Sequence, residues 1–277
     1  MQWWMSILLG LVQGVTEFLP VSSSGHLSIV QKLLGVAMED KLLFDVLLHV
    51  GTLAAVCLAF WKDIAEMFRA VFGMFSAAKR NDASAIPARR LALLVIIATL
   101  PLVLMVFFKD SVELLLDNMV FIGCALMATG LLLFLADRMP KGRKDEKTAR
   151  VLDSVFVGAM QLLAVIPGLS RSGTTISAGL FRGFDRSFAV RFSFLMSLPA
   201  VVGATLLEVI DLFSGETQAV PVSEFLGYLP GVLVAAVSGY FSIILLKKLI
   251  KSGKFGKFAY YCLAVGLLTI AITLIVG

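Results

Sequence analysis

The sequence predicts an all-α integral membrane protein with an inverted-topology repeat, each half being a re-entrant helical hairpin followed by three transmembrane helices. Three observations support this fold class: the composition, six long apolar segments, and two broken apolar stretches that resemble each other. Of the 277 residues, 59% are hydrophobic and only 16% are charged, with a mean hydropathy of +0.94. These values lie far outside the range of soluble globular domains and leave no room for a large soluble domain.

Six segments are long and apolar enough to cross a bilayer as helices, which takes roughly 20 residues each. They cover residues 43–61, 88–108, 119–137, 190–211, 226–246 and 258–276. The three cysteines lie singly in apolar runs, so neither a disulfide framework nor a thiolate metal site is indicated.

The two remaining apolar stretches, 1–36 and 151–183, are each interrupted near the middle. The interruptions are Pro20-Val-Ser-Ser-Ser-Gly25 and Pro167-Gly-Leu-Ser-Arg-Ser-Gly173. Proline removes a backbone donor and glycine weakens helical continuity, so each stretch predicts a helix, a turn and a second helix. Neither half is long enough to span alone. We therefore expect two re-entrant hairpins, which the membrane tolerates where protein or a water-filled cavity satisfies the turn.

The basic residues support this topology. With both hairpins re-entrant, segments 62–90, 138–150, 182–191 and 247–257 fall on one side and carry 20 of the 24 Lys and Arg residues. The opposite side receives the acidic segments 109–118 and 211–225. The positive-inside rule then places the basic loops in the cytoplasm and both termini outside, in a multi-pass plasma-membrane protein. This placement explains the net charge of +5 without nucleic acid as a partner.

The two halves form an internal repeat at an offset of 148 residues. The offset aligns Gly10, Gln13, Ser22, Ser24 and Gly25 with Gly158, Gln161, Ser170, Ser172 and Gly173. We expect one membrane domain over 1–277: repeat 1 at about 1–137, a cytoplasmic linker at 138–150 and repeat 2 at about 151–277. Three crossings per half invert the second copy, so the hairpin tips are expected to meet near the midplane.

Polar residues cluster at these predicted tips. The first supplies Gln13, Glu17, Ser22, Ser23, Ser24 and His26; the second supplies Ser170, Arg171, Ser172, Thr174 and Thr175. An arginine among hydroxyls at a helix N-terminus favours an oxyanion, with phosphate as the first candidate. A hydroxyl near a histidine and a carboxylate is equipment for activating a nucleophile, and the carboxylate could also hold a divalent cation. Asp45 and His49, one turn apart, are interpreted as a structural pair near the outer approach.

A transporter or flippase of a lipid phosphate or another anion is the alternative, because inverted repeats with broken helices are transporter architecture. Such a carrier needs the arginine and donors of the second tip. A hydrolase also needs a nucleophile and a base, which the first tip offers.

The motifs Gln13-Gly-Val-Thr-Glu-Phe-Leu-Pro-Val-Ser-Ser-Ser-Gly-His26 and Pro167-Gly-Leu-Ser-Arg-Ser-Gly-Thr-Thr175 resemble the paired signatures of the bacitracin-resistance family of undecaprenyl-diphosphate phosphatases. The resemblance covers essentially the whole chain. It implies hydrolysis of undecaprenyl diphosphate to the monophosphate in the bacterial inner membrane, which recycles the carrier for cell-wall synthesis and confers bacitracin resistance. That family has Glu or Gln where this chain has Gln13, and Gln cannot act as a base.

The resemblance implies that Glu17, His26 and Arg171 are essential, with Ser22 or Ser23 and Thr175 in support. We expect Arg171 and the 170–175 loop to clamp the diphosphate, aided by Mg²⁺ or Ca²⁺ near Glu17. Ser23, His26 or an activated water is the nucleophile. The expected partners are the prenyl diphosphate substrate and membrane lipids. The sequence leaves open whether the chain forms a homodimer.

Overall fold

The structure is a computed structural model that describes residues 2–36, 41–76, 82–108, 112, 114–116, 118–214 and 222–276. Within these residues the regular elements are helices, and the only β-type pairing is one isolated bridge between Lys144 and Phe184. The prediction of an all-α membrane protein is therefore confirmed.

The α-helices are numbered in chain order. They are α1 (Trp3–Phe18), α2 (Ser23–Leu34), α3 (Lys41–Ala59), α4 (Trp61–Phe72), α5 (Ile86–Thr99), α6 (Met119–Asp137), α7 (Val151–Leu163), α8 (Arg171–Phe181), α9 (Arg186–Ser214), α10 (Val222–Lys251) and α11 (Lys257–Val276). Short 3₁₀ helices cover Gly73–Phe75, Ala83–Ala85 and Leu100–Phe107. The last of these continues α5 where Pro101 interrupts the α-helical hydrogen bonding.

Five of the described helices are long and apolar enough to cross a membrane, or six if α3 and the bent segment after it count as one span. The five cover Ala83–Met105, Met119–Asp137, Arg186–Leu207, Phe225–Lys251 and Lys257–Ile275. They correspond to five of the six predicted spans. Four acidic residues of the predicted outer segments lie outside the described residues: Asp110, Glu113, Asp117 and Glu216. The outer position of these charges stays a prediction from sequence.

The chain bends by 79° between α3 and α4, where the sequence had predicted a simple connecting segment after residue 61. Ile64 and Met67 of α4 pack against the core, while Trp61, Phe68 and Phe72 on another face are exposed. The charged residues Lys62, Glu66 and Arg69 are exposed on the remaining side of the helix. An amphipathic helix of this kind is typical of the membrane–water interface, which explains why it turns away from the direction of α3.

Each broken stretch is a pair of short helices. The first break, 19–22, contains Pro20, and Ser22 has a left-handed φ of 71°. The second, 164–170, contains Gly168 with a φ of 89°. The Ser22 hydroxyl accepts a bond from the Gly25 N–H at 3.2 Å and thereby caps α2, as Ser170 caps α8 through Gly173 at 3.1 Å. The helices α1, α2, α7 and α8 have 16, 12, 13 and 11 residues, each short of the roughly 20 that a span requires.

Glycines allow several pairs of helices to pack closely, including the pair that contains α1. A Cβ atom on Gly10 of α1 would lie 2.1 Å from the Gly231 carbonyl oxygen of α10, and one on Gly51 of α3 would lie 2.5 Å from the Val232 carbonyl oxygen. The same holds for α6 and α11, where a Cβ on Gly266 would lie 2.6 Å from the Gly123 carbonyl oxygen. Small residues at helix contacts are the usual means of close association in lipid, so α1 is held firmly against α10.

The predicted linker 138–150 is ordered by a buried carboxylate. Asp153, in the first turn of α7, has no exposed surface and accepts bonds from Lys144 Nζ at 2.8 Å and Arg182 Nε at 2.8 Å. Within the linker, the hydroxyl of Thr148 and nearby backbone N–H groups bond to Asp145 and hold the pKa of that carboxyl below its usual value. The linker is thereby fixed to both helices of the second broken stretch.

Candidate functional site

The two breaks contact each other directly. Ser24 Oγ, in the first turn of α2, accepts a bond from the Gly168 N–H at 3.3 Å. Ser172 Oγ, in the first turn of α8, donates to the Leu19 carbonyl oxygen at 3.2 Å. Thr129 of α6 also bonds to both Gly168 and Ser170, so a neighbouring helix holds the second break in place. The structure thus brings together the two polar motifs that the sequence had singled out.

Glu17 lies at the centre of this junction. Its side chain is 4% exposed, and its Oε1 accepts a charge-assisted hydrogen bond from Arg171 Nη2. Its Oε2 accepts bonds from Ser23 Oγ at 2.5 Å and from Gln13 Nε2 at 3.1 Å. One carboxylate therefore joins α1, the first turn of α2 and the start of α8. A buried carboxylate is tolerated here because its charge and both its oxygens are satisfied.

The Ser23–Glu17 contact has the geometry of an activated hydroxyl. Ser23 donates its proton towards a carboxylate oxygen, as a nucleophile donates to its general base. Arg171 is 25% exposed at its side chain, and a guanidinium carries five N–H donors, so the bond to Glu17 leaves others for a second anion. The junction therefore combines a hydroxyl, a carboxylate and a guanidinium within one set of contacts.

Among the described residues, His26 makes no hydrogen bond or ion pair to Glu17, although the sequence placed both at the first tip. Its Nδ1 lies 2.8 Å from the Ser22 carbonyl oxygen, and its Nε2 lies 2.8 Å from the Tyr261 hydroxyl of α11. The rings of His26 and Tyr261 are stacked with centroids 5.7 Å apart and planes at 7°. His26 thus faces the last helix of the chain, while Ser23 faces the carboxylate.

The other predicted site residues are close to the junction, and several have structural partners. The hydroxyls of Ser22 and Ser170 serve as helix caps. Thr175 bonds to the Arg171 carbonyl oxygen at 2.8 Å and to Ser193 Oγ of α9 at 2.6 Å, which steadies the first turn of α8. Thr174 is buried, and its hydroxyl has no hydrogen-bond partner within the described part of the chain.

The structure adds residues that the sequence reasoning missed. His49 of α3 places Nε2 at 3.7 Å from Glu17 Oε2, while its Nδ1 lies 2.7 Å from the Asp45 carbonyl oxygen. The sequence had suggested a structural pair with Asp45, and the structure also brings the imidazole near the Glu17 carboxylate. The available signal was its rarity, because the chain has only two histidines.

A small cleft opens beside the carboxylate. Polar and aromatic side chains from α1, α8 and α9 line it: Glu17, Phe18, Arg171, Ser172, Ser193, Phe194 and Ser197. Glu17 and Arg171 are its charged residues, and the two phenylalanine rings pack edge to face at 5.5 Å. The cleft, of about 10 Å³, has room for about one water molecule, and its charged residues make it polar.

The oxygens available to a divalent cation are those of Glu17 and Gln13. Across the described ranges, no group of three or more His, Cys, Asp or Glu side chains converges on one point. Gln13 Oε1 is buried and has no hydrogen-bond partner in that part of the chain. Carboxylate and amide oxygens suit Mg²⁺ and Ca²⁺, and Mg²⁺ is usually held by one or two carboxylates together with substrate phosphates. The residues therefore fit an ion shared with a phosphate better than a closed protein cage.

Comparison with known proteins agrees with these observations. Residues 6–268 match the family model described as bacitracin resistance protein BacA. The chain is 38% identical over 277 residues to an undecaprenyl-diphosphatase of Methanosphaera stadtmanae, with 98% of each chain covered. It is 42% identical to those of Alkaliphilus metalliredigens over 274 residues and Syntrophotalea carbinolica over 269, covering 98% and 97% of this chain and 98% of each relative. The chain belongs to the BacA family of bacitracin resistance proteins.

Proposed function

We propose that the chain hydrolyses undecaprenyl diphosphate to undecaprenyl phosphate and inorganic phosphate. The observation that carries this proposal is the continuous contact from Ser23 through Glu17 to Arg171, which joins a hydroxyl, a base and an anion-binding cation across the two breaks. The relatives named undecaprenyl-diphosphatase, at about 40% identity over nearly the whole chain, support the same substrate. Recycling of the lipid carrier for cell-wall synthesis and bacitracin resistance follow from this reaction.

The contacts favour Ser23 as the nucleophile. Its oxygen attacks the terminal phosphorus while the bond from that phosphorus to the bridging oxygen breaks, and prenyl monophosphate leaves. Glu17 takes the serine proton and passes it to the departing phosphate or to solvent. Water then attacks the phosphorus of the phosphoserine as its bond to Ser23 Oγ breaks. Glu17 takes one proton from this water and passes it to Ser23 Oγ, and inorganic phosphate leaves. Arg171 stabilises the charge that develops on the phosphoryl oxygens.

A divalent cation would neutralise phosphate charge when bound, and Glu17 with Gln13 Oε1 would hold it. Gln13 contributes a neutral oxygen, so Glu17 supplies the only protein charge in that pair. The remaining predicted donors, Ser24, Ser172 and Thr174, lie around the phosphate position as supporting groups rather than as bases. Ser22, Ser170 and Thr175 act mainly by holding α2 and α8 in place.

The proposed architecture is a single membrane domain of two inverted repeats, 1–137 and 151–277, joined by the linker 138–150. The helix pairing supports this assignment. Helix α1 of the first half packs on α10 of the second, while α7 of the second packs on α5 of the first, and α6 pairs with α11. In each half, the hairpin therefore packs on the second of the three spanning helices of the other half, which is α10 for the first hairpin and α5 for the second. Two copies related by an approximate two-fold axis would show this exchange.

The decisive measurement is phosphate release by the purified protein in detergent with a prenyl diphosphate substrate. We expect Glu17→Ala and Arg171→Ala to lose nearly all activity, and Arg138→Ala, a basic residue at the end of α6 outside the junction, to retain it. Wild-type-like rates in the first two variants would refute the assignment. A carrier needs no Ser23–Glu17 pair, and lipid movement in proteoliposomes without hydrolysis would favour that alternative.

A further inference from the structure

His26 has a hydrogen-bonding arrangement that defines how its ring is protonated. The Ser22 carbonyl oxygen can only accept, so the Nδ1 atom that lies 2.8 Å away carries the hydrogen. In the neutral ring, Nε2 then presents a lone pair, and the Tyr261 hydroxyl at 2.8 Å is its donor. Nε2 is therefore the nitrogen that can exchange a proton, and Tyr261 covers it.

A second contact fixes the position of helix α11 relative to the first broken stretch. The residue after Tyr261 is Cys262, which is fully buried, with Sγ 3.5 Å from the Pro20 carbonyl oxygen. Two successive residues of α11 thus contact the first broken stretch: Cys262 contacts Pro20 in the break, and Tyr261 contacts His26 on α2. Tyr261 itself is 46% exposed, so its ring has room to move away from the imidazole without disturbing the core.

We propose that Tyr261 is a positioning residue for His26. It donates a hydrogen bond to Nε2 of the Nδ1–H tautomer that the Ser22 carbonyl oxygen fixes, orients the imidazole with its plane parallel to that of the tyrosine ring, and yields Nε2 to the substrate when the diphosphate enters. This inference rests on the proposed phosphatase function only for the last step. The bond from Tyr261 to Nε2 follows from the contacts alone, so it can be tested separately.

The first arm of the test is ¹⁵N NMR of the protein labelled at histidine, in detergent. Only two imidazoles contribute signals, and a His49→Gln variant assigns them. We expect His26 to show the Nδ1–H tautomer in both proteins, because the Ser22 carbonyl oxygen fixes it, and a shifted Nε2 resonance in Tyr261→Phe, because that nitrogen loses its hydrogen-bond donor. The same His26 signals in both proteins would overturn the proposal, whatever the activity of the enzyme.

The second arm is steady-state kinetics with a prenyl diphosphate. Tyr261→Phe should lower kcat about two- to tenfold, the worth of one hydrogen bond, with KM and the melting temperature unchanged. Tyr260→Phe is the matched control, because Tyr260 is the neighbouring residue on α11 and packs on Phe134 instead; its kcat should equal that of the wild type. An unchanged kcat in Tyr261→Phe overturns the proposed role. An inactive wild type would instead refute the phosphatase function. The NMR result would still decide whether Tyr261 bonds to Nε2 of His26.

Discussion

Glu17 is a buried carboxylate whose charge is compensated by a residue from the other half of the chain. Removing either Glu17 or Arg171 leaves the other charge without its partner, which costs several kcal/mol where both are buried. Arg171 is one-quarter exposed at its side chain, so solvent offsets part of that cost. The melting temperature of each variant must therefore accompany its activity, because the same contact contributes to stability and to chemistry.

Ser23 is the residue on which the mechanism depends most directly. We predict that Ser23→Ala lowers phosphate release at least about 100-fold, since both the nucleophile and the bond to Glu17 are lost. Ser28→Ala, a buried serine further along α2, is the control and should stay within about threefold. Acid-quenched reactions with substrate labelled in the terminal phosphate should also trap phosphoserine in the wild type.

A residual rate of about one-tenth in Ser23→Ala, with no trapped phosphoserine in the wild type, would contradict the serine mechanism. In that case water attacks and Ser23 only orients Glu17.

The sequence predicted those parts of the site that charged residues and the two motifs could locate. Glu17 and Arg171 could be placed at hairpin tips expected to meet, but their direct bond was not predicted, because Arg171 was expected to hold the diphosphate and Glu17 a divalent cation. His49 and Tyr261 could not be placed, because they lie on α3 and α11 and approach the junction only through helix packing. The same holds for the bond from His26 to Tyr261, for which the sequence offered no prediction.

At the scale of helices, the two breaks marked by proline together with glycine and serine were predicted, whereas the bend at Phe60, which depends on packing, was not. Pro20 and the Pro167–Gly168 pair interrupt hydrogen bonding locally, so both hairpins could be located from composition alone. The bend at Phe60 involves neither proline nor glycine. It arises because α4 has one face packed on the core and another rich in aromatic rings, which suits the membrane surface better than continuation of α3.

The close approach of α1 and α10 predicts a sharp difference between two glycines. Gly10→Ala would place its Cβ in contact with backbone atoms of Gly231, and such overpacking typically costs about 1–3 kcal/mol. Because α1 carries Glu17, we also expect lower phosphate release. Gly203→Ala on α9 meets no atom within 4 Å and should raise stability by up to about 1 kcal/mol through better helix propensity.

Thermal unfolding in detergent distinguishes the two glycine variants. A lower melting temperature for Gly203→Ala than for Gly10→Ala would show that the α1–α10 contact is not the constraint that the geometry indicates.

For the molecule as a whole, the basic segments converge at one end of the helix bundle. Arg191 of α9 bonds to Asp63 of α4 at 2.6 Å and to Glu146 of the linker at 3.5 Å. The turn before α11 joins the same end, where Lys254 and Arg138 line one cleft. All four segments that the positive-inside rule assigns to the cytoplasm are thus neighbours in space, which supports their common side independently of the rule.

Cysteine labelling tests this orientation together with the first hairpin. In a background with Cys57, Cys124 and Cys262 replaced by alanine and activity retained, we introduce Gln2→Cys near the N-terminus or Lys147→Cys in the linker; both positions are exposed. A membrane-impermeant maleimide should label Gln2→Cys in intact spheroplasts and Lys147→Cys only after lysis. The reverse pattern would invert the proposed orientation. Labelling of both positions from the same side would mean that residues 1–36 cross the membrane once, since a re-entrant hairpin followed by three crossings must separate Gln2 from Lys147.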